Sequence, residues 1–264
     1  MKRNTLGLVI ILVLLLIVIT IKKEAFNFNS HVNFLTKDQT IDFLLNDPDN
    51  YHQNMSKYDL IAQKAPDYNY VIQRAVSVAG NFTPAQKQII EHLTQKVDDW
   101  FRNSLNIKYI DGHKLAAIPW NFGLTHGNVY ENGYPHTRKN IIFITDNIIK
   151  NIKQFAVTLA HEKVHVFERM YPEDMNVWME NNGYELYATL KDFPLARSNP
   201  DIDNIVYLSP DKFPTVAIYN STNPKGIFDA YYPGRPTDDP SYEHPNETLA
   251  YKIDRMFNDE SNFS

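Results

Sequence analysis

The chain has 264 residues, 43 % hydrophobic and 22 % charged, with a formal net charge of -5. That length and composition allow one sizeable hydrophobic core, and scattered Lys and Arg under a mild negative charge argue against a nucleic-acid partner. Cysteine is absent, which excludes disulfides, thiolate metal sites and a cysteine nucleophile, so a transition metal would have to be held by His, Asp or Glu.

Residues 5–21 read TLGLVIILVLLLIVITI, flanked by Lys2 and Arg3 on one side and by Lys22 and Lys23 on the other. As a helix the run covers roughly 25 Å, the short end of a bilayer span. No small-residue cleavage pattern follows it, so residues 1–23 are expected to be a single N-terminal transmembrane anchor and not a signal peptide. The flanking charges lean toward a cytoplasmic N-terminus. Residues 24–58 are polar and rich in Asn and Asp, the composition of a spacer, and residues 59–264 are expected to form the main domain.

Within that domain, Thr83 can cap a helix with Pro84 in its first turn, and Ile89, Ile90, Leu93, Val97, Trp100 and Phe101 form one apolar stripe along it. Short strand-like pieces follow at 107–110 and 115–120, then a glycine-bearing loop over 121–139. The apolar IIFI at 141–144 reads as a strand that could pair with an extended peptide. Thr145 or Asp146 can cap a second strong helix, whose apolar residues run from Ile149 to Phe167 and which Pro172 ends. Residues 194–245 are rich in Pro, Asn, Asp and Tyr, and loops of that length are commonly functional. Pro245 opens a last helix with Leu249, Ile253, Met256 and Phe257 on its apolar side.

The second helix carries His161-Glu162-Lys163-Val164-His165. Two imidazoles at i and i+4 lie on one helical face and can share a Zn²⁺, while the intervening Glu is offset so that it reaches a metal-bound water without being a ligand. A catalytic zinc needs a third protein ligand. Continuation along the same segment fails, because Glu168 and Tyr171 stand where Gly and His would be needed, and no Gly-Thr pair exists to introduce an Asp ligand. A Glu on a later helix remains. Glu247 is preferred, since it shares a face with Ala250, Tyr251 and Asp254 opposite the apolar residues, and Glu185, 20 residues past His165, is the reserve. His136, Tyr231, Tyr232 and Arg235 are candidates for binding substrate or the developing oxyanion.

The segments LAHEKVHVFERMYP, GYPHTRKNIIFIT and HPNETLAY together resemble gluzincin-type metallopeptidases encoded by large DNA viruses. The resemblance covers about residues 120–255. It implies an α+β fold: a mainly helical zincin-like domain whose small mixed sheet places an edge strand, entered through Pro135-His136-Thr137, beside the HExxH helix. It implies zinc on His161, His165 and Glu247, with Glu162 as base. In thermolysin-like enzymes an Asp four residues after the ligand Glu orients a zinc histidine; here that position is Tyr251, with Asp254 one turn on. The expected function is a membrane-anchored zinc peptidase acting on peptide or protein substrates through a metal-activated water, in a virion or host membrane. The rival expectations are a viral envelope or structural protein with a non-catalytic zinc site, and a hydrolase of non-peptide amides.

Overall fold

The computed structural model describes residues 31–260. The expected anchor over residues 1–23 lies outside them, and among the described residues no helix is long and apolar enough to cross a membrane. The described chain is α+β, with eight α-helices, one five-stranded sheet and two two-stranded ribbons.

The main sheet is mixed. Strands β1 (Val32–Phe34), β3 (Trp120–Thr125) and β5 (Ile141–Thr145) run parallel in that order. β2 (Ala79–Gly80) pairs antiparallel with the far end of β3, and β4 (His136–Arg138) pairs antiparallel with β5 and forms an edge. β3 and β5 are buried at every position, as strands covered on both faces are. Gly123 stands opposite Phe143, where an added Cβ would meet the Phe143 ring at 2.7 Å.

The helices are α1 (Lys37–Asn46), α2 (Lys57–Ala62), α3 (Tyr68–Ser77), α4 (Pro84–Asn103), α5 (Gly112–Ala117), α6 (Ile152–Met170), α7 (Pro172–Asn181) and α8 (Pro245–Glu260). Local chemistry sets their ends. Thr83 caps α4 in a reciprocal box with Gln86, Asn151 caps α6 through the Gln154 amide, and Pro172 and Pro245 occupy first-turn positions that need no amide proton. Ile90, Leu93, Val97 and Phe101 of α4, Phe155, Leu159, Val164 and Phe167 of α6, and Leu249, Ile253 and Phe257 of α8 join one core under the sheet.

Several expectations are corrected. The segment read as a spacer is built into the domain from Val32 onward: β1 is a sheet strand, and Leu35, Phe43 and Leu44 are buried. Its Asp47 and Asp49 carboxylates clamp Arg138, a fully buried side chain of β4 that also meets His52 and Tyr130. The 115–120 strand is helix α5 followed by the start of β3, and β3 itself falls where a loop was expected. The IIFI strand is interior, flanked by β3 and β4, so it offers no free edge to a peptide. A 3-10 turn at Ile148–Lys150 delays α6, which takes its cap from Asn151 and not from Thr145 or Asp146.

The Arg138 cluster gives a stability prediction. Burial raises the Asp47 and Asp49 carboxyls, but His52 and then Arg138 at Asp47, and Arg138 at Asp49, outweigh it and hold both below the usual carboxylate range. A depressed carboxylate pKa contributes stability that is present above the unfolded value near 3.9 and is lost as pH falls through the folded one. Arg138→Met is expected to cost about 3–5 kcal/mol in urea unfolding at pH 7, because it strands the buried Asp47 charge and leaves the half-buried Asp49 without its partner. The gap to wild type should narrow as pH drops below about 4; an unchanged gap at pH 3 would contradict the ion-pair account.

Candidate metal centre

Helix α6 presents His161 and His165 one turn apart, and α8 lies along it with Glu247 in its first turn. Ala250 is fully buried in the core shared by the two helices, where a small side chain lets them approach closely. The two Nε2 atoms are 3.1 Å apart, and Glu247 Oε2 lies 3.5 Å from His161 Nε2 and 3.8 Å from His165 Nε2. A circle through a triangle with sides of 3.1, 3.5 and 3.8 Å has a radius of about 2.0 Å, which is the zinc–nitrogen and zinc–oxygen bond length. These three residues are the group among the described residues whose ligand atoms could share one ion.

Both rings are oriented from behind. His161 Nδ1 is 3.0 Å from Asp254 Oδ2, and His165 Nδ1 is 3.0 Å from Glu168 Oε2. Each Nδ1 faces a carboxyl oxygen; a ring whose Nδ1–H donates there keeps its Nε2 lone pair for a metal. Burial opposes charge on His161, but Asp254 and Glu247 outweigh it and hold its pKa well above the usual imidazole range. Burial pushes His165 down to about 4. Burial also opposes the Glu247 charge, yet the two imidazoles bring its carboxyl down to about 2.

Glu162 is buried beside this triad. The Thr137 hydroxyl of β4 donates to its Oε2 at 2.8 Å, and burial lifts its pKa to about 7 against the pull of His161. Glu162, His161 and Glu247 open on a cleft of about 630 Å³. Ile148, Val157, Ile227 and Phe228 give it apolar walls, and Tyr134 forms an edge-to-face pair with Phe228 at 4.8 Å.

The other candidates are placed as follows. Tyr232 lines the cleft, whereas Tyr231 is exposed and lies outside its lining. His136 lines the cleft, but its Nδ1 faces the Tyr134 carbonyl at 3.1 Å and burial keeps the ring neutral, with a pKa of about 3. The ring proton is therefore on Nδ1, and the enclosed Nε2 has none to give a substrate. Arg235 is held by Asp211 and Ser209 away from the cleft lining. Glu185, the reserve ligand, sits on the exposed strand β6 (Glu185–Thr189), ion-paired with Lys212 at 2.6 Å.

Five contributors carry no site signal that the sequence reading used. Thr137 orients Glu162. Glu168 supports the His165 ring, and its i+3 spacing from His165 is the sequence signal for that contact. Asn199 donates to Glu247 Oε1 at 3.0 Å. Asp201, pushed up to about 8 by burial and by the nearby Glu162 charge, accepts the Thr137 amide. Arg169 takes the Thr137 carbonyl at 3.1 Å. The outward amide and carbonyl of Thr137 are thus both engaged by the protein's own side chains.

No protein-family model, no curated protein and no solved structure matches the chain.

Proposed function

We propose that the chain is a zinc-dependent hydrolase of peptide bonds, with His161, His165 and Glu247 as ligands and Glu162 as general base. The observation that carries this reading is the convergence of the three ligand atoms on one point about 2.0 Å from each, a zinc bond length. The same donor set and its helical sources underlie the proposed kinship with gluzincin-type enzymes and their zincin-like fold. A zinc ion bound there supplies Lewis-acid polarisation of the scissile carbonyl and of the attacking water.

The chain's own groups supply the rest. Glu162 takes a proton from the water on its carboxylate and returns it to the leaving nitrogen. Burial raises the Glu162 pKa from the ordinary carboxyl value, the direction that suits a group that must do both at neutral pH. Thr137 holds the Glu162 carboxylate in place by hydrogen bonding. Tyr232, on the cleft wall, is the candidate donor to the oxyanion. Tyr251, whose ring lies 4.6 Å from that of His161, stands on the same wall. The apolar walls suit side chains of a peptide. Its backbone would be gripped between the cleft walls, because β5 is interior and the Thr137 groups on the edge are taken. A non-catalytic zinc site, the rival reading, would have no use for an oriented, buried base next to the triad. Attachment to a membrane rests on residues 5–21 and is part of the proposal.

Two outcomes test it. Glu247→Gln should weaken zinc binding by more than the 10–100-fold that loss of a supporting hydrogen bond costs, while Glu185→Gln leaves one zinc per chain in equilibrium dialysis; the reverse pattern would move the ligand to Glu185. Glu162→Gln should keep its zinc and lower turnover of a peptide library by about 10²–10⁴. Wild-type turnover in that variant would refute the base.

A further inference from the structure

Glu247 has two oxygens, and only one faces the imidazoles. Oε2 lies toward both Nε2 atoms, whereas Oε1 accepts a hydrogen bond from the Asn199 side-chain amide at 3.0 Å. The second proton of that amide goes to Glu243 Oε2 at 3.2 Å. Its carbonyl oxygen accepts the Asp201 backbone amide at 3.0 Å. Every polar position of the Asn199 side chain is therefore committed, and the carbonyl's acceptance of an N–H fixes which end of the amide faces the carboxylates.

Neighbouring residues lock the segment that carries Asn199. The Arg197 amide donates to the Ala217 carbonyl at 2.9 Å, and the Arg197 guanidinium pairs with both oxygens of Glu243. The Ser198 amide and hydroxyl each reach Asp59, on α2, at 2.9 Å. Arg169 of α6 holds the Pro200 carbonyl at 2.7 Å. An amide fixed this firmly between two buried carboxylates does more than fill space. It separates two like charges and claims the one ligand oxygen that could otherwise swing onto the metal as a second bond.

The geometry points to Asn199 as a positioning residue of the metal centre, holding Glu247 as a one-oxygen ligand by occupying its Oε1 and thereby keeping a coordination position free for water and substrate. This rests on the zinc reading above. The residue touches neither the proposed ion nor the substrate; it acts through Glu247. Hydrogen bonds to ligating carboxylates typically matter 10–100-fold in metal affinity.

The test uses purified full-length wild type, Asn199→Ala and Asn199→Leu, the last being close to Asn in shape but without donors. Each is titrated with zinc against a competing chelator, and each is loaded with cobalt(II) for its visible spectrum, which distinguishes four from five ligands. Thermal melts of the metal-free forms report folding. We expect both variants to fold, to bind zinc 10–100-fold more weakly, and to show weaker cobalt bands of the five-ligand type as Glu247 becomes bidentate. A merely structural Asn199 would lower the melting temperature yet leave the zinc affinity and cobalt spectrum of the folded protein unchanged. That result, in either variant that folds, overturns the inference while the zinc reading stands. Failure of wild type to bind zinc or cobalt removes the zinc reading and this inference with it.

Discussion

Two imidazoles one helical turn apart can supply only half of a tetrahedral zinc shell, and neither can move far without unwinding the helix that holds it. The site therefore depends on bringing a carboxylate from a distant part of the chain to within bonding reach of both rings. In this fold that carboxylate arrives at the start of α8, carried by a helix whose apolar side is buried against the same core as α6. Leu249, Ile253 and Phe257 fix the height and rotation of α8, and Glu247 then falls opposite the two rings. Core packing and coordination geometry are one constraint seen from two sides.

The surrounding electrostatics follow from that convergence. Glu162, Glu168, Glu243 and Glu247 are buried acidic groups with the half-buried Asp201 near them, and loss of hydration alone pushes every one of them toward the neutral form. Cations and donors offset part of that cost. Arg197 pairs with Glu243, Arg169 tethers the Asp201 segment, and the imidazoles face Glu247. The remaining excess of negative charge is what a divalent cation would neutralise.

Local patterns in the sequence were enough to locate the parts of the fold whose signal lies within one element. The capped helix after Thr83, the IIFI strand, the HExxH helix and the Pro245 helix all appear in the structure, with Glu247 facing the two histidines as its helical face suggested. What failed to show locally depends on distant partners. Strand β3 does alternate, Trp120, Phe122 and Leu124 against Asn121, Gly123 and Thr125, but its asparagine and glycine and the glycine-bearing stretch after it read as loop; its two flanking strands define it. The polar stretch before Lys57 looked like a spacer because its acids are the partners of Arg138, a residue nearly ninety positions away. Asn199 and Asp201 sit in a Pro- and Asn-rich segment whose composition reads as loop, and only tertiary contacts reveal that it reaches Glu247 and Thr137.

The most direct test of the central claim is X-ray absorption at the zinc edge on the purified, zinc-loaded protein. The account predicts two imidazole nitrogens and one protein oxygen at about 2.0–2.1 Å, plus one further light-atom ligand, with outer-shell scattering from two histidine rings. A spectrum fitted by oxygen ligands alone, without imidazole scattering, would contradict it.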